Sequence, residues 1–265
     1  MGCKESVKIW QAQIMAGRCQ NKNMQIQPPR VPWNQFPDVV IHAPETSVKK
    51  HPAYRDAKAG DDEAAHTLVV ETLSAEAVRQ LLKILGEERP FLTSAHALER
   101  DGVNAIPEAL ADELAGLTGL QVDGSIVQTN IVGHTGADGF SRLARQAIFS
   151  GDVVPGASYA LVDDFIGQGG TLANLRGYIE SNGGRVIAAT VLTGKPYSAK
   201  LAILPDQLLA LRTKHNGKNL ESWWLDRFGH AFDCLTQSEA RYLERTQDAD
   251  VIRDRIAAQE QAGNC

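Results

Sequence analysis

The residues best able to do chemistry lie between Tyr159 and Leu172, in the order Tyr159-Ala160-Leu161-Val162-Asp163-Asp164-Phe165-Ile166-Gly167-Gln168-Gly169-Gly170-Thr171-Leu172. An apolar strand delivers two carboxylates, a glycine-rich turn follows, and a helix begins. Glycines let a turn bring several N–H groups close to a ligand, and a helix N-terminus adds roughly half a positive charge. Together they suit a phosphate monoester. Carboxylates a few residues before such a cradle can accept hydrogen bonds from a sugar diol carried by the same phosphate. The segment therefore reads as a grip for a ribose 5-phosphate. A P-loop would need Lys and then Ser or Thr after its glycines. A dinucleotide fingerprint places its acid about 20 residues after the glycines, not before them. A phospho-accepting receiver domain would have no use for the Gly169-Gly170-Thr171 cradle.

The run Val162 to Leu172 resembles the motif by which type I phosphoribosyltransferases bind 5-phosphoribosyl 1-pyrophosphate (PRPP), and the resemblance extends over about residues 88–200. It implies Mg²⁺-dependent transfer of the 5-phosphoribosyl group from PRPP to a nucleobase-like nitrogen acceptor, with release of pyrophosphate, as in nucleotide metabolism. By that resemblance Asp163 and Asp164 hold the ribose hydroxyls, and Gly167, Gln168, Gly169, Gly170 and Thr171 bind the 5-phosphate. Mg²⁺ bridges pyrophosphate and sugar oxygens, in keeping with its habit of using few protein ligands. The turn Glu99-Arg100-Asp101-Gly102 is similar to the family's pyrophosphate loop. Residues 131–151 stand where the family has its mobile catalytic loop, with His134, Arg142 and Arg145 as contacts. Asp163, Asp164, Arg100 and Arg142 are thus the expected catalytic set. Lys195 and Tyr197 follow a strand end where the family often contacts the base, the one toward an exocyclic oxygen, the other by stacking. Gly167 departs from the acid that the 6-oxopurine enzymes carry there, which argues against hypoxanthine or guanine as acceptor.

The motif serves binding as well as turnover, so a non-catalytic PRPP-sensing regulator or binding module is the alternative. In a third reading, residues 205–262 dock a partner and the ribosyl site is a ligand switch. The small molecules PRPP and an acceptor are the expected partners, with a homodimer as in the family.

Positioning such a turn requires a sheet. Val39 to Ile41 reads as a short edge strand. Asp61 or Asp62 caps a helix to about Glu71, and Ser74 opens another whose Ala77, Val78, Leu81, Leu82 and Leu85 share a face before Gly86. Pro90 to Ala95, Ser125 to Asn130, Ala157 to Val162 and Val186 to Leu192 read as strands. A helix from Pro107 to about Leu117 and one from Thr171 to Ser181 lie among them. Strands alternating with helices predict an α/β fold with a parallel sheet, here of type I phosphoribosyltransferase-like form. Residues 1–38, rich in Gln, Asn and Pro, read as a flexible leader. Residues 39–204 form the α/β domain, and residues 205–265 a helical C-terminal appendage. Whether 39–88 or 205–262 closes over the pocket stays open.

Composition sets the outer limits. The chain has 265 residues, 43% hydrophobic and 22% charged, as soluble globular domains do. Lys and Arg number 27 against 32 Asp and Glu, a net charge of −5, which argues against nucleic-acid binding by bulk charge. No apolar run approaches the roughly 20 residues that span a bilayer. Neither the four cysteines nor the seven histidines show metal-site spacing, so no protein-borne metal set is expected. With no signal peptide visible, a cytoplasmic location is the expectation. Met1-Gly2-Cys3-Lys4-Glu5-Ser6 also matches the loose myristoylation pattern, with Cys3 placed for a second lipid.

Overall fold

A computed structural model describes residues 27–95, 98–99, 102–131 and 139–263. The chain enters the sheet at β1 (Val40–Ala43) and then forms helices α1 (Glu45–Lys49), α2 (Tyr54–Lys58), α3 (Asp62–Thr72) and α4 (Ala75–Leu85). Asp61 and Ser74 cap α3 and α4 by accepting from Ala64 N–H and Ala77 N–H, so both helices start where the sequence predicts. Next come β2 (Phe91–Ser94), the short strands β3 (Leu98–Glu99) and β4 (Gly102–Val103), and α5 (Ile106–Thr118). The chain continues through β5 (Val127–Gln128), α6 (Gly139–Ala144), β6 (Phe149–Ser150), β7 (Ser158–Ile166), α7 (Gly170–Ser181) and β8 (Arg185–Gly194). Helices α8 (Pro205–His215), α9 (Leu220–Phe228), α10 (Gln237–Arg245) and α11 (Ala249–Gly263) complete the described chain.

Four strands make one parallel sheet in the order β1-β8-β7-β2, giving a mixed α/β fold as expected. Successive side chains of a strand point to opposite faces. Ala160 and Val162 of β7 therefore meet Leu68, Leu81, Leu110 and Leu114 of α3, α4 and α5 on one face. Tyr159 and Leu161 meet Leu172, Leu175 and Ile179 of α7 on the other. Both faces are covered, which is why β7 and β8 read as near-continuous apolar runs. A third cluster joins Phe140 and Leu143 of α6 to Trp224, Phe228, Phe232, Leu243, Ile252 and Ile256 of the C-terminal helices. Among the described residues no helix is long and apolar enough to cross a membrane.

Three local expectations are corrected. The Ser125–Asn130 strand shrinks to β5, which pairs antiparallel with β6 outside the main sheet. The slot beside β2 holds only a single bridge, Leu92 to Val122. Asp123 then turns the chain away, its carboxylate accepting from Ser125 N–H and Oγ–H. Second, β7 runs on to Ile166, because β8 keeps pairing it as far as Ile166 with Gly194. The two aspartates therefore lie within the strand, not beyond it. Third, the last part of the expected leader belongs to the packed body. Trp33 is buried against α7, its backbone N–H donates to Asp233 O, and Arg176 of α7 donates to Pro32 O.

A candidate anion-binding turn

The turn from β7 to α7 is shaped by hydrogen bonds to its carbonyls. Lys195 N–H donates to Ile166 O at 3.1 Å, the Ser198 hydroxyl donates to Gly167 O, and the Thr236 hydroxyl donates to Gln168 O at 2.5 Å. Gly169 O accepts from Ala173 N–H at 3.0 Å, the first bond of α7. Gly169 is the helix N-cap with φ of 82°, a left-handed conformation that favours glycine, and no side chain among the described residues caps the helix. A methyl group there would also lie 2.4 Å from Leu201 Cδ2. Among the described residues, no protein acceptor meets the N–H groups of Gly167, Gln168 and Gly169, and Gln168 Oε1 is buried with no partner.

Charge collects around this turn from distant parts of the chain. Arg142 of α6 lies against Gly167, where a methyl group would come within 2.1 Å of its Nη1. Burial lowers the pKa of the Arg142 guanidinium, with the Tyr197 phenol opposing, yet an arginine stays charged. Behind the turn, Arg30 and Glu239 form an ion pair at 2.7 Å with side chains 3% and 2% exposed. Arg30 also donates to Asn174 of α7. Glu239 completes the capping box of α10 with Thr236.

The two aspartates face different surroundings, as neighbours in a strand must. Asp163 is buried and accepts from Asp164 N–H at 2.8 Å. Burial, and then the Asp164 charge, push its carboxyl well above the usual carboxylate range. Asp164 sits 3.0 Å from Lys58 Nζ of α2. Lys195 is paired with Glu45, which also holds Lys49, and Lys49 stands 4.4 Å from the centre of the Phe165 ring. Tyr197 is 59% exposed beside the Arg241 guanidinium.

Of the residues singled out by sequence, the structure thus brings Arg142 to Gly167, and keeps Asp163, Asp164, Gln168, Gly169, Gly170, Thr171, Lys195 and Tyr197 on or next to β7, α7 and the end of β8. Arg145 follows α6, its Nε buried and without a partner among the described residues. Arg100 and His134 lie outside the described residues, and so does the side chain of Glu99. Sequence reasoning missed Arg30, Lys58, Ser198, Thr236 and Glu239. Thr236 and Glu239 stand three apart, a capping-box signal that was there to read. Arg30 and Glu239 lie 209 positions apart and offered none.

No model of a known protein family matches the chain. It is 43% identical over 229 residues to a protein of Escherichia coli called Protein TraN, the match covering 86% of this chain and 51% of that protein. It is 40% identical over 152 residues to an uncharacterized protein of Haemophilus influenzae, covering 57% of this chain and 34% of that one. The chain thus spans about half the length of the first relative and about a third of the second. Among solved structures, an adenine phosphoribosyltransferase of Thermoanaerobacter pseudethanolicus is 16% identical over 49% of this chain and 85% of its own, at a TM-score of 0.30. A likeness that slight carries no argument. The expectation of an enzyme of nucleotide metabolism that transfers a phosphoribosyl group from PRPP is therefore corrected. The relatives by sequence bear no phosphoribosyltransferase name, and no family model supports one.

Proposed function

We propose that this chain is a binding module for a phosphate-bearing small anion, held without turnover at the turn between β7 and α7, and that PRPP belongs to the class it takes. The single observation that carries the reading is the set of N–H groups at Gly167, Gln168 and Gly169, which meet no protein acceptor among the described residues and lie beside the Arg142 guanidinium. Consecutive N–H groups with a neighbouring cation make an anion-binding concavity, and arginine is well suited to phosphate oxygens. The resemblance of residues 162–172 to a PRPP-binding motif points the same way. In this reading Gly167 to Thr171 and Arg142 meet the phosphate, and Asp164 meets a sugar hydroxyl in exchange for Lys58.

Among the described residues no group of three or more His, Cys, Asp or Glu side chains is placed to hold an ion. Mg²⁺ would arrive on the ligand's own phosphates.

Titration calorimetry with PRPP, with and without Mg²⁺, tests the proposal. Saturable binding that weakens about tenfold or more in Arg142→Ala is the expected result, since hydrogen bonds to charged groups are worth about 1.5–3 kcal/mol. Folded protein that takes up no PRPP overturns it.

A further inference from the structure

The binding turn is held in shape from outside its own segment, and we infer that Ser198 and Thr236 are its positioning residues. The inference rests on the anion-binding reading for its consequence, while its geometry stands independently. A trans peptide unit is planar, with its C=O and the following N–H pointing in opposite directions. Pinning the carbonyl of one residue therefore aims the N–H of the next. The Ser198 hydroxyl holds Gly167 O, so it turns the Gln168 N–H away from itself. The Thr236 hydroxyl holds Gln168 O, so it turns the Gly169 N–H away in the same manner. Lys195 N–H on Ile166 O does this for Gly167. Three successive N–H groups are thus directed by donors on the opposite side of the turn.

The donors are themselves fixed. Ser238 Oγ donates to Ser198 Oγ at 3.2 Å, which leaves the Ser198 proton for Gly167 O. Ser198 is 1% exposed and Thr236 fully buried, so water does not compete for either hydroxyl. Thr236 is tied in turn to Glu239, and Glu239 to Arg30. A glycine-rich turn has no side chains of its own to define its peptide planes. Here the short 3-10 helix Pro196–Ser198 and the start of α10 supply that definition, so the C-terminal helices take part in the ligand site without touching the ligand.

The test compares Ser198→Ala, Thr236→Val and the conservative Thr236→Ser, with Ser222→Ala as a surface control. PRPP affinity is read by calorimetry, and the Gln168 and Gly169 amides by ¹⁵N NMR shifts and hydrogen exchange in the full chain without ligand. The expected result is a roughly tenfold loss of affinity in Ser198→Ala and Thr236→Val, near wild-type affinity in Thr236→Ser, and displaced amide signals only in the first two. Amide signals unmoved in Ser198→Ala and Thr236→Val overturn the inference, as does unchanged affinity in a wild type that binds. A wild type that binds no PRPP sinks the proposed function instead. The amide signals then still decide whether Ser198 and Thr236 set the turn.

Discussion

The Arg30 guanidinium and the Glu239 carboxylate meet at 2.7 Å, both almost wholly buried, and tie residue 30 to the start of α10 directly behind Gly170. A methyl group on Gly170 would lie 2.8 Å from Glu239 Oε1 and 3.3 Å from Arg30 Nη2, so the pair forms the wall of the turn. Taking one partner from a buried pair strands the other charge, which costs about 3–5 kcal/mol. Arg30→Ala should therefore lower unfolding stability by about that much in urea titration. The double variant Arg30→Met/Glu239→Leu should recover much of the loss. A single variant as stable as wild type would mean that the pair is not closed in solution.

The strap around Trp33 crosses α7 where there is no side chain. A methyl group at Gly177 would come within 2.0 Å of Pro29 O, a backbone atom that cannot swing aside. Gly177→Ala should push the strap off the helix and cost about 1–3 kcal/mol, the range of overpacked cores. Chemical denaturation measures the loss, and the fluorescence of Trp33 should shift to the red.

Two buried histidines set an acid limit. Burial lowers the imidazole of His42 to about 4 and that of His230 to about 3, from an ordinary value of 6.5. Both fold in the neutral form, so their contribution to stability is complete above pH 6.5. It is lost as the pH falls from 6.5 toward 4 for His42, and toward 3 for His230, because protons then bind the unfolded chain preferentially. The His42 share amounts to about 3 kcal/mol at the lower end. Melting temperature against pH should fall across this window, and His42→Gln should flatten the slope.

Asp163 has the opposite sign. Its carboxyl titrates above the usual range in the folded chain because it is buried beside Asp164. Above the ordinary carboxylate pKa the unfolded chain releases its proton more readily, so Asp163 costs stability at neutral pH. Asp163→Asn keeps an oxygen to accept from Asp164 N–H. It should be more stable than wild type at pH 7, with the gap closing as the pH falls toward 4. A variant less stable at pH 7 would show that the charge itself is held favourably.

How much of this was legible in the chain depends on how far apart the partners lie. Helix starts at Asp61 and Ser74, the apolar strands around Leu161 and Ala189, and the glycine turn after Ile166 follow from local rules: capping, side-chain period and backbone freedom act over a few residues. Those rules sufficed for an α/β fold with a parallel sheet and for a glycine-rich turn between strand and helix. Tertiary structure alone decided the rest. It paired Asp164 with Lys58, buried Asp163, carried Arg142 to Gly167, and closed Arg30 on Glu239 across 209 positions. It also turned residues 125–130 away from the main sheet and drew Arg30, Trp33 and Phe36 into the packed body. Such contacts arise from the burial of whole surfaces against one another, and no local pattern of residue types encodes which distant side chain fills a given space.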